Sequence, residues 1–511
     1  MKRYRRIYIL LGVLAVACVA TFGVMRFEEH KEQIKNSDEI ILALSADSVQ
    51  SLSWEYESEE GEEESLAFHR DETWLYDEDE AFPVDEEKIG ALLEQFEAFG
   101  VSFIIEEVED YGQYGLDDPV CTINLATEDA SYEILLGDYS SMDSERYVSI
   151  GDGNVYLVSN DPLDSFAVTL SDMIDHDETP SFDSGATEIT FAGTENYDIA
   201  YEENSTDSYC ADDIYFTQQD GSNLPLDTSL VNSYLDNISN LNLTDYATYN
   251  ATEEELKSYG LDEPELTVTV DYSLENEEGE ETSETFVLNV SRDPEEKAAS
   301  EEKEAERMES EADAEGAEEA AATEEAAGEA AVSGAAETAA EAEQSTEEEE
   351  ITAYARVGES QIVYRISSEE YKNLMAASYD DLRHPEVLSA DFADIYQIDI
   401  SLEDNTYTLT SEETDDVRTW YYSEEELEIS DLQNALKNLK ANSFTEEQPT
   451  DKEEISLTVY LENENHPTVQ IELYRCDGEN CLAVVDGEPV SYISRAGVVD
   501  LIEAVHAIVL N

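Results

Sequence analysis

Six histidines, His30, His69, His176, His384, His466 and His506, are the side chains best suited to bind a metal or pass a proton near neutral pH. No two stand three or four residues apart, so a zinc site carried by a single helix is not encoded. The chain also lacks a Gly-x-Ser-x-Gly nucleophile elbow and a phosphate-cradling Gly-x-x-x-x-Gly-Lys loop. Ser300-Glu301-Glu302-Lys303 fits a Ser-x-x-Lys template, but it sits in a Glu/Ala-rich tract with nothing rigid to hold a catalytic geometry. These residues predict a chain without catalytic activity and without a cofactor.

Carboxylate pairs abound, so a pair alone carries little information. The two most suggestive are Asp117-Asp118 and Asp262-Glu263, whose hard oxygens suit calcium, although no complete EF-hand loop surrounds either. At most, weak calcium binding is expected. Both pairs sit in a repeated phrase, Tyr114-Gly115-Leu116-Asp117-Asp118-Pro119 and Tyr259-Gly260-Leu261-Asp262-Glu263-Pro264. Turn chemistry explains that phrase better: Gly supplies an unusual backbone angle, Asp bonds its own backbone, and Pro sets up the following strand. The phrase is therefore read as structural.

Five cysteines remain to be placed. Cys476 and Cys481 flank a short turn between two strand-like runs. Outside the cytoplasm such a pair can persist as a disulfide, which is the expectation here. Strained cross-strand geometry argues against it. A metal site there would lack a second Cys or His pair. Trp54, Trp74 and Trp420, with 30 tyrosines, raise carbohydrate stacking as a rival to ordinary core packing. Trp74 and Trp420 occupy equivalent strand positions, where Tyr215 stands in a related segment. That equivalence favours packing.

The elements that must position these residues repeat as well. Thr73–Tyr76, Ile214–Phe216 and Thr419–Tyr422 each precede an apolar-periodic helix: Ile89 to Phe99, Leu230 to Leu241, and one through Leu432, Leu436 and Leu439. Asp85, Asp227 and Ser430 are suitable N-caps. Downstream come short alternating strands and a closing helix. The first set is Tyr132–Leu136, Tyr147–Ile150, Val155–Val158 and a helix over Pro162–Ile174. The second is Thr285–Val290, Ala353–Val357, Ile362–Ile366 and Ser368–Leu382. The third is Val469–Tyr474, Cys481–Val485, Val490–Ile493 and Ala496–Val509. Three α+β modules with mostly antiparallel sheets are predicted, over 48–177, 187–384 and 393–511. The third has Gln448-Pro449-Thr450-Asp451 near the place of the glycine phrase.

One loop of the module varies greatly. Between the second module's strands lies Glu295–Glu350, with 21 Glu, 18 Ala and no aromatic residue. It cannot bury enough apolar surface to pack, so disorder or a solvated helix is expected. A tolerated surface insertion is the plain reading, since lengthening a loop costs entropy only logarithmically. An acidic spacer or a lure for a cationic partner is the functional one.

With 126 acidic against 25 basic residues, the net charge of −101 excludes nucleic acid as a partner. It disfavours anionic lipid headgroups equally. Lys2, Arg3, Arg5 and Arg6 precede an uncharged 19-residue run, Ile7 to Met25, long enough for a helix to cross a bilayer. The charge asymmetry predicts a single-pass cell-membrane protein with a cytoplasmic stub (1–27) and an extracytoplasmic body. Ala15-Val16-Ala17-Cys18 loosely matches a lipoprotein signal, but Val19 to Met25 stays apolar beyond the cysteine.

An anchor followed by repeats with a Gly-Leu-Asp-x-Pro phrase resembles the domain-of-unknown-function 4340 family. The resemblance rests on Tyr114–Pro119, Tyr259–Pro264, the strands ending in Val155–Val158 and Ile362–Ile366, and Asp380-Asp381-Leu382-Arg383 before Ile395–Ile400. It covers about residues 45 to 511 apart from the insertion. It implies an accessory protein of an ABC-type export or gliding-motility-associated system with a membrane-protein partner, and it implies no catalytic residues. A free-standing surface adhesin or glycan binder is the alternative function.

Overall fold

Alternating apolar residues dominate this chain's strands, and a strand's period of two puts them all on one face. In Glu453–Leu461 the buried positions are Ile455, Leu457, Val459 and Leu461, with half-buried or exposed residues between them. Val49–Glu57 buries Val49, Leu52, Trp54 and Tyr56 with one slip at its start, where its pairing with Cys121–Thr127 shifts register. The computed structural model describes residues 33–510 apart from 37–38, 58–62, 143, 183–184, 211, 220, 276–280, 304, 306–349, 404, 415–416 and 451. The fold is α+β with antiparallel sheets, divided into two units, 1–176 and 177–511.

The first unit holds sheet I. Across the sheet run Trp74–Tyr76, Glu63–Arg70, Val49–Glu57, Cys121–Thr127, Ser131–Ser140, Glu145–Ser149, Val155–Val158, Phe103–Glu106 and Gln33–Asn36. Helix α1 (Glu86–Glu94) buries Ile89, Leu92 and Leu93. Asp85 caps it, accepting from the amides of Glu87 and Lys88 at 3.0 Å. An aromatic stack fills the core: Trp54 lies on Phe68 at 5.7 Å and meets Phe166 edge-on at 5.4 Å.

The second unit holds two further sheets. Sheet II runs Ser222–Pro225, Tyr215–Gln219, Tyr197–Tyr201, Ala186–Gly193, Leu266–Glu275, Glu281–Arg292, Ala353–Val357, Val363–Ile366, Tyr246–Thr248. Sheet III runs Glu425–Leu427, Val417–Tyr422, Asn405–Thr414, Ile395–Leu402, Glu453–Leu461, Thr468–Arg475, Asn480–Val485, Glu488–Ser494, Ala441–Phe444. The two orders coincide strand for strand. Sheet I follows the same order, without a fourth strand at one edge and with Gln33–Asn36 added at the other. In sheets II and III one helix carries the chain from one edge to the far one, α2 (Thr228–Ser239) and α3 (Ser430–Lys437); in sheet I α1 leads, by way of the short strand Phe99–Gly100, to Phe103–Glu106, next to the edge strand Gln33–Asn36.

Most predicted strands are present with slightly wider bounds. The closing helices differ. Only Arg495–Val509 is continuous. The first is split into Leu163–Phe166 and a 3-10 turn, Leu170–Met173; the second into Ser368–Met375 and Tyr379–Leu382. Each break falls at a capping box, Thr169 with Asp172 and Ser378 with Asp381, whose side chains offer the backbone a new helical start. Ser430 is the first residue of its helix rather than the cap; Ile429 holds the cap position without a side-chain bond. Phe99 lies in a short strand with Gly100 and not in the helix.

No helix of the described residues is long and apolar enough to cross a membrane. The Ile7–Met25 run, with Cys18 and His30, lies outside the described residues.

Candidate functional site

The structure places the two glycine phrases in corresponding turns. Tyr111–Tyr114 forms a 3-10 turn closed by Gly115 at φ +70°, and helix Glu253–Ser258 ends at Tyr259 before Gly260 at φ +73°. Both glycines occupy the left-handed region that side chains disfavour. A Cβ on Gly115 would stand 2.8 Å from the Asp138 backbone nitrogen. Tyr114 and Leu116 are buried beside Ile105, Val155 and Leu157, and Leu261 beside Tyr354 and Val363. The phrases thus fill small apolar clusters, and each precedes a central strand.

Gly260 abuts Pro294, Ser291 and Arg292, where the Glu/Ala tract leaves sheet II. The described start of that tract is a helix over 294–303. Asp293 caps it, accepting from Glu295 and Glu296 amides at 3.0 Å. The two ends of the tract are tied together: Asp293 N donates to Thr352 O at 2.9 Å, and Thr352 N to Glu296 Oε2 at 3.1 Å. Glu265 braces this root. It accepts from Tyr371 Oη at 2.7 Å and Arg292 N at 3.0 Å and pairs with Lys297. Burial alone would raise the Glu265 carboxyl; these donors outweigh it and hold it below the ordinary value. Ser300 and Lys303 lie on the emerging helix, with no histidine or cysteine among the residues that brace its root.

Cys476 and Cys481 are thiols, not joined to each other. Cys481 pairs with Arg475 across the hairpin, and the Cys476 amide bonds to Asn480 O. Adjacent pairs in a ladder point to opposite faces, so the thiols are directed apart. Cys481 is in the core of sheet III, where burial pushes its thiol up to about 11. Trp54, Trp74 and Trp420 are buried at 0%, 6% and 3% exposure, and Tyr215 at 1%. None of these rings offers a face for a sugar.

The groups that come together lie where sheets II and III meet. The loop 202–214 reaches from sheet II onto sheet III: Tyr209 bonds Asp486 and packs on His466 at 4.7 Å, and His466 Nε2 lies 2.9 Å from Thr206 O. Returning, the loop places Asp213, 4% exposed and bonded by Ser208, at 2.9 Å from His384 Nε2. His384 Nδ1 faces Asp227 Oδ2 at 3.7 Å. Asp227 is fixed as the cap of α2, its Oδ1 accepting from Ser229 N at 2.8 Å and Leu230 N at 3.3 Å. Glu386 completes the cluster; a bridge between its backbone and that of Lys440, with an ion pair of 2.9 Å, holds it. Among the described residues, Asp227, His384 and Glu386 are the one group of three potential metal ligands that converge. Asp117-Asp118 and Asp262-Glu263 gain no third ligand of this kind.

A cleft of about 490 Å³ opens beside His384, bordered by Cys210, Glu386, Asp391 and Lys437. Burial would lower the His384 pKa, but the hydrogen bond that its Nε2–H donates to Asp213 and the charges of Asp213, Asp227 and Glu386 raise it above the ordinary value. A larger groove of about 850 Å³ lies between the edge strands Ser222–Pro225 and Ala441–Phe444. Glu195, Asp380, Glu446 and Glu488 line it, and the Arg383 guanidinium carbon lies 4.2 Å from the centre of the Phe444 ring. Glu195 is raised by burial and by the nearby Asp381 and Asp380. The groove is therefore short of positive charge.

The family described as Domain of unknown function (DUF4340) matches residues 74–219 and 217–458. The chain belongs to that family. Each DUF4340 match starts in the strand pair at one edge of a sheet and ends in the next sheet, so the matches straddle sheet boundaries. No curated protein and no solved structure matches the chain.

Proposed function

We propose that this protein is a non-catalytic, single-pass membrane protein whose body lies outside the cytoplasm and serves as an accessory interaction subunit of an ABC-type transport or surface-assembly system. The observation that carries the reading is the basic stub followed by the uncharged Ile7–Met25 run ahead of a body of opposite charge. In this reading the three sheets are copies of one module, over 48–177, 187–384 and 393–511, and the shared strand order supports it. The groove beside Arg383 is the contact surface. Its four carboxylates favour a basic, extended segment of a membrane partner, which would be drawn in by charge and by the exposed strand edges.

Protease accessibility on intact cells tests the placement. The body should be digested from outside while a tag ahead of Lys2 stays protected. Protection of the body until the cells are opened would contradict it.

A further inference from the structure

We propose that Asp227, His384 and Glu386 form a binding site for one divalent first-row metal ion, such as Zn2+ or Mn2+, at the junction of sheets II and III. With Nε2 committed to Asp213 at 2.9 Å, the His384 ring presents Nδ1 to Asp227 Oδ2 at 3.7 Å, and Glu386 converges with the two. In the neutral ring that nitrogen carries a lone pair. Two carboxylates beside one ring nitrogen in a half-buried cleft call for a positive charge among them, which a proton on Nδ1 and the Lys440 ammonium supply in the metal-free protein and which a bound ion would supply by displacing that proton. The donor set of one imidazole nitrogen and two carboxylate oxygens matches borderline ions better than calcium, which takes six to eight oxygens.

The arrangement around the three donors is already ordered. A carboxylate behind a metal-binding imidazole fixes its orientation and raises its basicity, which is the place of Asp213. Asp213 is itself buried and held by Ser208. Asp227 spends Oδ1 on its helix cap and leaves Oδ2 toward the ring. The three donor atoms lie within 4.8 Å of one another. Donors around tetrahedral zinc stand about 3.4 Å apart, so small side-chain rotations close the site. Lys440, 2.9 Å from Glu386, is the competing cation.

The experiment is calorimetric titration of the chelator-stripped full chain with Zn2+ in excess Ca2+, which occupies plain carboxylate clusters. One high-affinity equivalent is expected, with a raised unfolding temperature. His384→Ala and Glu386→Gln should each abolish it, Asp213→Asn should weaken it by about tenfold or more, and Lys440→Met should tighten it. Circular dichroism confirms that each variant is folded, and Glu386→Gln serves if His384→Ala is not. Unchanged Zn2+ binding in folded Glu386→Gln, or no equivalent above the Ca2+-masked background in the wild type, overturns the proposal.

Discussion

Tyr259 packs its ring on Tyr354 with centroids 4.7 Å apart and planes at 54°, and Tyr114 meets Tyr147 at 4.9 Å and 53°. Two sheets thus use the same aromatic contact to seat the same glycine turn. The contact explains why a tyrosine opens both phrases: the ring covers sheet residues while the next residue turns the chain away.

The glycines should differ in cost. Gly115→Ala meets left-handed strain and a backbone atom that cannot move aside, so a loss of about 3 kcal/mol is expected. Gly260→Ala has 3.2 Å or more to its neighbours and should lose about 1 kcal/mol. Denaturant unfolding of the two variants checks the order; equal losses would contradict it.

Glu265 should make the root of the insertion acid-sensitive. Its folded pKa lies below the ordinary 4.5, so its contribution is complete above that value and is lost as pH falls through the folded pKa. Glu265→Gln should flatten the part of the stability profile below pH 4.5. Hydrogen exchange at Arg292 and Tyr371 followed against pH reads it locally.

Removal of 306–349 with a short Gly/Ser join should leave sheet II folded. Closing a shorter loop gains up to about 2 kcal/mol, and the ends are already tied through Asp293, Glu296 and Thr352. Thermal unfolding at or slightly above the wild-type temperature is the expected result.

The hairpin cysteines should stay reduced and unequal. Cys476 should react with a maleimide in the native protein. Cys481, buried and with its pKa pushed up to about 11, should react only after denaturation. Intact mass after alkylation in denaturant without reductant should show both labelled; two unlabelled thiols would restore the disulfide.

Much of the architecture is written in local pattern. Period-two alternation marks strands such as Glu453–Leu461, and the repeated phrase marks the turn before each central strand of sheets I and II. The junction is not legible. Asp213, Asp227, His384 and Glu386 come from a loop, a helix cap and a linker that only the docking of two sheets brings together, and a search at helical spacing passes over them. The split closing helices were marked by Thr169 with Asp172 and Ser378 with Asp381, but the apolar periodicity running through both segments masked the signal. The short edge strand Ser222–Pro225 ends in proline, a residue that local pattern assigns to a turn and that an edge tolerates.

The central claim is that the body binds a membrane transport component through the groove beside Arg383. A photo-crosslinking residue in place of Thr445, in the full chain in native membranes, tests it most directly. The account predicts a crosslink to an integral membrane transport subunit that disappears when Glu195 and Glu446 are both changed to lysine. Recovery of the uncrosslinked chain alone, or a crosslink indifferent to those reversals, would contradict it.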